Sequence, residues 1–338
     1  MNYFHYQQPF TLESGALLPE LTIAYQTYGK LNADGSNVVW VCHALTANAA
    51  VAEWWHGFIG EGSIINPDEH YIVCANILGS CYGTTGPLSN NQQTGAPYFH
   101  QFPFITIRDM VRAHQLLAAQ LHIQKIHLLI GGSMGGYQAL EWCCMQPQFI
   151  QNLFLIATSA RESAWGIAIH TAQRMALEAD CTWADRNENA AQNGLKTARA
   201  IGMVTYRSFA TYAHAQTEPD ANKTDGFKAE SYIRYQGQKL ANRFNAFSYW
   251  TLTKAMDSHN IARNRSTHVE AVLQQLKQKT LIIGISSDIL CPAAELQAVA
   301  AQMPNATYHE IDSLYGHDGF LIETKKISEA VSNWLKGK

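Results

Sequence analysis

Charge is scarce in this chain of 338 residues: 15% are Asp, Glu, Lys or Arg, against about 25% in an average soluble domain. With 47% of residues hydrophobic, there is ample apolar surface to bury, which excludes disorder as the main state. Basic clusters are missing as well. No Lys/Arg run exceeds two residues and the formal net charge is −3, so there is no field to hold a nucleic-acid backbone or an anionic membrane. Long apolar runs are absent. The most apolar segments, 38–45 and 126–130, fall far short of the ~20 residues that a membrane-spanning helix needs. Met1 to Phe10 offers neither a basic nor an apolar leader segment, so no secretion signal is expected. The seven cysteines (Cys42, Cys74, Cys81, Cys143, Cys144, Cys181 and Cys291) include no C-x-x-C pair. Their odd number and apolar surroundings predict buried free thiols in a reducing cytoplasm, not a disulfide frame or a zinc site.

What is present is a strand-helix alternation. Runs rich in β-branched residues at 21–28, 38–42, 71–76, 126–130, 152–157, 280–285 and 307–311 read as strands. From the third onward they are continuously apolar, as parallel strands covered on both faces are. Helical periodicity fills 106–121, 135–145, 293–303 and 325–335. This order predicts an α/β chain with a mostly parallel, doubly wound sheet. The alternation stops between 160 and 278, where helical patterns (166–178, 189–203, 228–246, 249–257) follow one another without a convincing strand. We therefore expect a core domain of residues 1–159 and 279–338, with residues 160–278 inserted as an all-helical lid over the carboxyl ends of the strands, where such sheets place their sites.

The sharpest local signal is Gly131-Gly132-Ser133-Met134-Gly135-Gly136, a G-x-S-x-G turn with an apolar strand before it and a helix after it. A nucleophile elbow requires that context: residues without a Cβ let strand and helix approach while the serine hydroxyl stays exposed. A serine hydroxyl needs a base, and the base an orienting acid, in the chain order Ser, Asp or Glu, His. Of fourteen histidines, His317 alone follows the last strand; His309 lies inside it, and His259 and His268 precede the candidate acid. Asp288, just past the strand at 280–285, is the candidate acid, with Asp312 as its rival. The oxyanion formed on attack needs preorganised N–H donors. The residue after the nucleophile, Met134, is one, and Leu45, in the loop after the strand at 38–42, is the candidate second.

With these residues in place, the chain resembles the homoserine O-acetyltransferase family of α/β-hydrolase-fold enzymes over nearly its whole length. The resemblance rests on Cys42-His43-Ala44-Leu45-Thr46, on Asn76-Ile77-Leu78-Gly79-Ser80-Cys81-Tyr82-Gly83-Thr84-Thr85-Gly86-Pro87, on the elbow, on Gln173-Arg174, Ala198-Arg199 and Thr205-Tyr206-Arg207-Ser208, and on Asp257-Ser258-His259, Ser287-Asp288 and Gly316-His317-Asp318-Gly319-Phe320. It implies Ser133, Asp288 and His317 as the catalytic triad. It further implies that Arg199 and Tyr206 of the lid, with Asp318, hold an amino-acid substrate. A guanidinium fork suits the carboxylate and a carboxylate suits the ammonium. The activity implied is acetyl transfer from acetyl-CoA to L-homoserine by a ping-pong acyl-serine route, in methionine biosynthesis, in a cytoplasmic homodimer joined through lid helices. Acetyl-CoA is then a substrate, and no metal or bound cofactor is called for.

The chain departs from the family pattern at Ala47-Asn48-Ala49-Ala50, where relatives often read Gly-Asp-Ala-His, and at Asp180-Cys181, where they tend to have Asp-Pro. Relatives that transfer succinyl typically carry an arginine two residues after the catalytic aspartate. Here that residue is Leu290, which offers a second carboxylate nothing and favours acetyl. The rival readings are a serine esterase on the same scaffold and a transferase that acts on L-serine or with succinyl-CoA.

Overall fold

The structure, a computed structural model, describes residues 1–337. Eight strands form one sheet: β1 (Asn2–Tyr6), β2 (Leu21–Tyr28), β3 (Val38–Cys42), β4 (Tyr71–Ala75), β5 (Ile126–Gly132), β6 (Ile150–Ile156), β7 (Lys279–Ile285) and β8 (Ala306–Ile311). Their order is β1-β2-β4-β3-β5-β6-β7-β8. β1 and β2 run antiparallel to each other, as do β2 and β4, and every later pairing is parallel. The register sets Val73, Trp40, Leu129, Leu153 and Thr280 in one row across the sheet. Val73, Trp40, Leu129 and Leu153 of that row pack into one apolar core, while the neighbours Val41, Ile130, Phe154 and Leu281 pack into a second core on the opposite face. Two buried faces explain why these strands read as unbroken apolar runs and not as alternation.

The longer helices are α1 (Ile107–Gln120), α2 (Met134–Met145), α3 (Ala164–Glu178), α4 (Gln192–Tyr206), α5 (Phe209–Gln216), α6 (Lys228–Ala241), α7 (Ala246–Asp257), α8 (Ala293–Gln302) and α9 (Thr324–Leu335). α1 starts at a capping box in which Thr106 and Asp109 satisfy each other's backbone N–H groups. α3 to α7 lie between β6 and β7, and no sheet strand interrupts them among the described residues. The two ends of this helical stretch meet where Glu162 N–H donates to the His259 carbonyl at 2.9 Å and Ile261 N–H to the Ala160 carbonyl at 3.1 Å.

Three details depart from expectation. β1 was not anticipated: its side chains are mostly exposed, so it lacks the apolar signature of the inner strands, and pairing with β2 is what makes it a strand. The helix expected over 228–246 ends at Ala241, and the one expected over 249–257 begins at Ala246, because Asn245 caps it, its side chain accepting from Ser248 N–H at 2.8 Å. α5 was also missed. Ser208 starts it, accepting from Thr211 N–H at 3.1 Å, but eight residues are too few for a clear 3.6-residue period.

Candidate active site

Ser133 sits on the turn between β5 and α2 with φ +54° and ψ −130°. A side chain rarely adopts this region, and holding it there costs on the order of 1–3 kcal/mol. The surroundings over-determine it. Ser133 N–H donates to the Ile156 carbonyl at 3.1 Å. The Ser133 carbonyl accepts from Gly136 N–H and from the Thr158 hydroxyl, both at 2.8 Å. The turn closes only because position 135 lacks a Cβ, which would lie 2.0 Å from the Cys42 carbonyl oxygen at the end of β3. The same approach brings the loop after β3 beside the hydroxyl.

Asp288 lies just past β7 and is 4% exposed. Its Oδ1 accepts from the N–H groups of Leu290 (2.8 Å) and Cys291 (2.9 Å), and its Oδ2 lies 2.7 Å from His317 Nδ1. An ionised carboxylate only accepts, so Nδ1 carries the hydrogen and Nε2 presents its lone pair. Nε2 lies 2.8 Å from Ser133 Oγ. His317 is seated by the turn Gly316–Asp318, which packs against α4. Gly316 has φ +64°, and a Cβ there would meet the Ser208 backbone nitrogen at 2.8 Å. Asp312 is not part of this arrangement. It is exposed, and its Oδ1 accepts from the Ser286 hydroxyl at 3.0 Å.

Burial opposes charge on the His317 imidazole, but the Asp288 carboxylate, by charge and by hydrogen bond, outweighs it, and Asp318 and Glu162 add to the effect; the pKa is raised above the ordinary 6.5. A base must be neutral to take a proton. We therefore expect kcat/KM to fall on acidification through a pKa above 6.5, and a pH–rate profile whose acid limb lies below 6.5 would contradict this electrostatic picture. Burial pushes His43 down to about 4 and His259 down to about 3, so these two stay neutral in this range.

Ser133 and His317 open into a cavity of about 360 Å³, also lined by Leu45, Leu290, Arg199, Tyr206, Asp318, Arg243 and His170. The Leu45 N–H has no hydrogen-bond partner among the described residues, and neither has that of Met134 at the start of α2. Arg199 stacks its guanidinium 5.3 Å from the centre of the Tyr206 ring and makes no ion pair among the described residues. The Tyr206 ring in turn lies 5.9 Å from that of His317. Asp318 is not free: its Oδ2 is 2.8 Å from Arg207 Nε, an ion-pair contact without hydrogen-bond alignment. Burial raises the Asp318 pKa, and Arg207, His317 and Arg199 pull it back only in part.

Asp288, His317 and Cys291 bring donor atoms within 4.8 Å of one another, a grouping that resembles a metal site. The chemistry of the donors argues otherwise. Asp288 and His317 are bound to each other, and burial together with the Asp288 charge pushes the Cys291 thiol well up, away from the thiolate that a metal binds.

Sequence reasoning did not single out Arg243 or His170, and it met Arg207 only as part of the Thr205–Ser208 motif, without a role. Arg243, beyond the end of α6, donates from Nη1 to the Thr46 carbonyl at 2.6 Å and to the Tyr82 hydroxyl, so the helical stretch braces the loop that carries Leu45. No local pattern marks such residues, because their contacts depend on how distant helices dock.

Comparison with known proteins places this geometry in a context. The model of the α/beta hydrolase fold matches residues 37–324. A homoserine O-acetyltransferase of Cyclobacterium marinum is 48% identical over 324 residues, covering 96% of this chain and 92% of that protein. The crystal structure of esterase E22 superposes with a TM-score of 0.90 at 23% identity, covering 99% of both chains. That of a homoserine O-acetyltransferase from Bacillus anthracis superposes with a TM-score of 0.88 at 24% identity, covering 97% of this chain and 96% of the other. At these identities the two superpositions speak for the fold.

Proposed function

Because the chain belongs to the homoserine O-acetyltransferase family of α/β-hydrolase-fold proteins, we propose that it moves an acetyl group from acetyl-CoA to the hydroxyl of L-homoserine through an acetylated Ser133. His317, oriented by Asp288, takes the Ser133 proton as Oγ attacks the thioester carbonyl. The N–H groups of Met134 and Leu45 hold the oxyanion. The tetrahedral adduct collapses, the C–S bond breaks, and the CoA thiolate leaves with the proton held by His317. The hydroxyl of L-homoserine then attacks acetyl-Ser133, giving its proton to His317, and collapse returns that proton to Ser133 and releases O-acetyl-L-homoserine. No redox change occurs and no metal is required by this route.

The observation that carries the reading is the 2.8 Å approach of His317 Nε2 to Ser133 Oγ in a cavity that also holds Arg199, which makes no ion pair among the described residues. The triad alone serves an esterase equally well. Arg199 favours a transferase with an amino-acid acceptor, because an acceptor bound through its carboxylate attacks as an effectively intramolecular nucleophile and outcompetes water. Tyr206 backs the guanidinium, and Asp318 faces the ammonium. Leu290 lines the cavity with an apolar side chain, which supports acetyl over succinyl.

Purified protein given acetyl-CoA tests the reading. CoA release should depend on L-homoserine, and equal release without it would make the protein a hydrolase. A panel containing L-serine and succinyl-CoA, compared by kcat/KM, tests the acceptor and the donor. Arg199→Ala should raise the KM for L-homoserine about 10- to 100-fold, as loss of a charge-assisted pair does, with a much smaller change for acetyl-CoA. Equal changes would remove Arg199 from the acceptor site.

We also propose a homodimer joined through the helical stretch, where Met175 (62% exposed), Val204 (59%) and Phe209 (89%) present apolar surface; a monomer in sedimentation velocity at micromolar concentration would refute it. The place we propose for this activity is methionine biosynthesis in the cytoplasm. The odd number of cysteines and the lack of any C-x-x-C pair support a reducing compartment, and a secreted, oxidised form of the protein would refute that assignment.

A further inference from the structure

The reaction cavity holds a second imidazole that the mechanism does not use. His170, on α3, is 4% exposed and lines the same cavity as Ser133, His317 and Arg199. Its Nδ1 lies 3.0 Å from Asp257 Oδ1, and the other oxygen of Asp257 is taken by Arg174 at 2.5 Å. Burial opposes ionisation of Asp257, but its bonds to His170 and Arg174 prevail and hold its pKa low, so it stays a carboxylate and only accepts. Nδ1 therefore carries the hydrogen, and Nε2, which accepts in the neutral form of the imidazole, has no protein partner among the described residues. On the same side, Glu162 Oε2 approaches His170 Nδ1 at 4.0 Å and accepts from the Tyr137 hydroxyl at 2.9 Å.

The cavity thus offers two kinds of polar group. Arg199 supplies a positive group, and His170, held by the Asp257 carboxylate, supplies an imidazole whose neutral form accepts at Nε2. We propose that His170 is a specificity residue of the acceptor site, taking a hydrogen bond at Nε2 from the ammonium group of an α-amino-acid acceptor. This rests on the transfer reading above. An ammonium carries three N–H donors and needs several acceptors when water is excluded. Asp318 has one oxygen committed to Arg207, so it serves the ammonium incompletely, and an imidazole lone pair supplies a further acceptor without adding another buried charge.

The test compares L-homoserine with 4-hydroxybutanoate, which has the same hydroxyl and carboxylate but no ammonium. In His170→Ala the ratio of kcat/KM for the two acceptors should shrink about tenfold, because a hydrogen bond to a charged group is lost for one of them only. If His170 merely holds α3 in place, both acceptors lose equally, the ratio stays as in the native protein, and the proposal falls. H170N, which keeps a donor toward Asp257 but withdraws the Nε2 lone pair, should shrink the ratio likewise, and covers the case in which the alanine variant does not fold. An unchanged ratio in H170N also overturns the proposal. Acetyl-Ser133 formed by the native protein from acetyl-CoA, with no transfer to either acceptor, instead overturns the transferase reading and His170's role with it.

Discussion

Ser133→Ala is expected to lower kcat for acetyl transfer by about 10^4- to 10^6-fold, the range for loss of an activated serine, with almost no change in thermal stability. The substitution removes one hydroxyl, whose hydrogen bond is to His317 Nε2, and leaves the bonds to Ile156, Gly136 and Thr158 untouched, since all of these use the Ser133 backbone. Alanine keeps a Cβ, so the cost of φ +54° remains as it was. Ser133→Gly is the informative companion. It should be equally inactive, yet more stable than Ser133→Ala, because glycine adopts positive φ without that cost. Mass spectrometry should find no acetyl adduct on either variant after a quench with acetyl-CoA. Retention of more than about one percent of native kcat in Ser133→Ala would mean that another group is the nucleophile.

Asp288→Asn is expected to cost about 10^4-fold in kcat, through the tautomer of His317. The N–H groups of Leu290 and Cys291 both donate to Oδ1, so an asparagine must place its carbonyl oxygen there and its NH2 toward His317. That NH2 donates to Nδ1, and the imidazole hydrogen moves to Nε2. Nε2 then faces Ser133 Oγ as a donor and takes no proton. Asp312→Asn is the matched control. Its carboxylate meets the Ser286 hydroxyl at the surface, and less than about a twofold change is expected from an exposed site of this kind. A large loss in Asp312→Asn together with a small one in Asp288→Asn would reverse the assignment of the acid.

These two carboxylates show how far the chain alone can be read. Both follow the ends of neighbouring parallel strands, β7 and β8, whose last residues Ile285 and Ile311 sit side by side in register. Nothing in their local spacing separates them. What separates them is the turn after each strand: the one after β7 folds back so that two backbone N–H groups and His317 surround Asp288, whereas the one after β8 leaves Asp312 in solvent. The helical stretch poses the same difficulty. Its periodicity was legible to within a few residues in α3 and α4, but the places of Arg199, Arg207 and His170 around one cavity follow from how those helices pack on each other and on the turn that carries His317.

The chain by itself determined the strand-helix alternation, the parallel buried sheet and the tight serine turn, because each is set within a few residues by side-chain period and by the absence of a Cβ. It also determined the order serine, aspartate, histidine. Only the tertiary structure decided which aspartate meets His317, that Arg207 engages Asp318, and that a second imidazole shares the cavity. Those contacts join residues up to a hundred or more positions apart, and side chains so far apart in the chain meet only where packed elements bring them together.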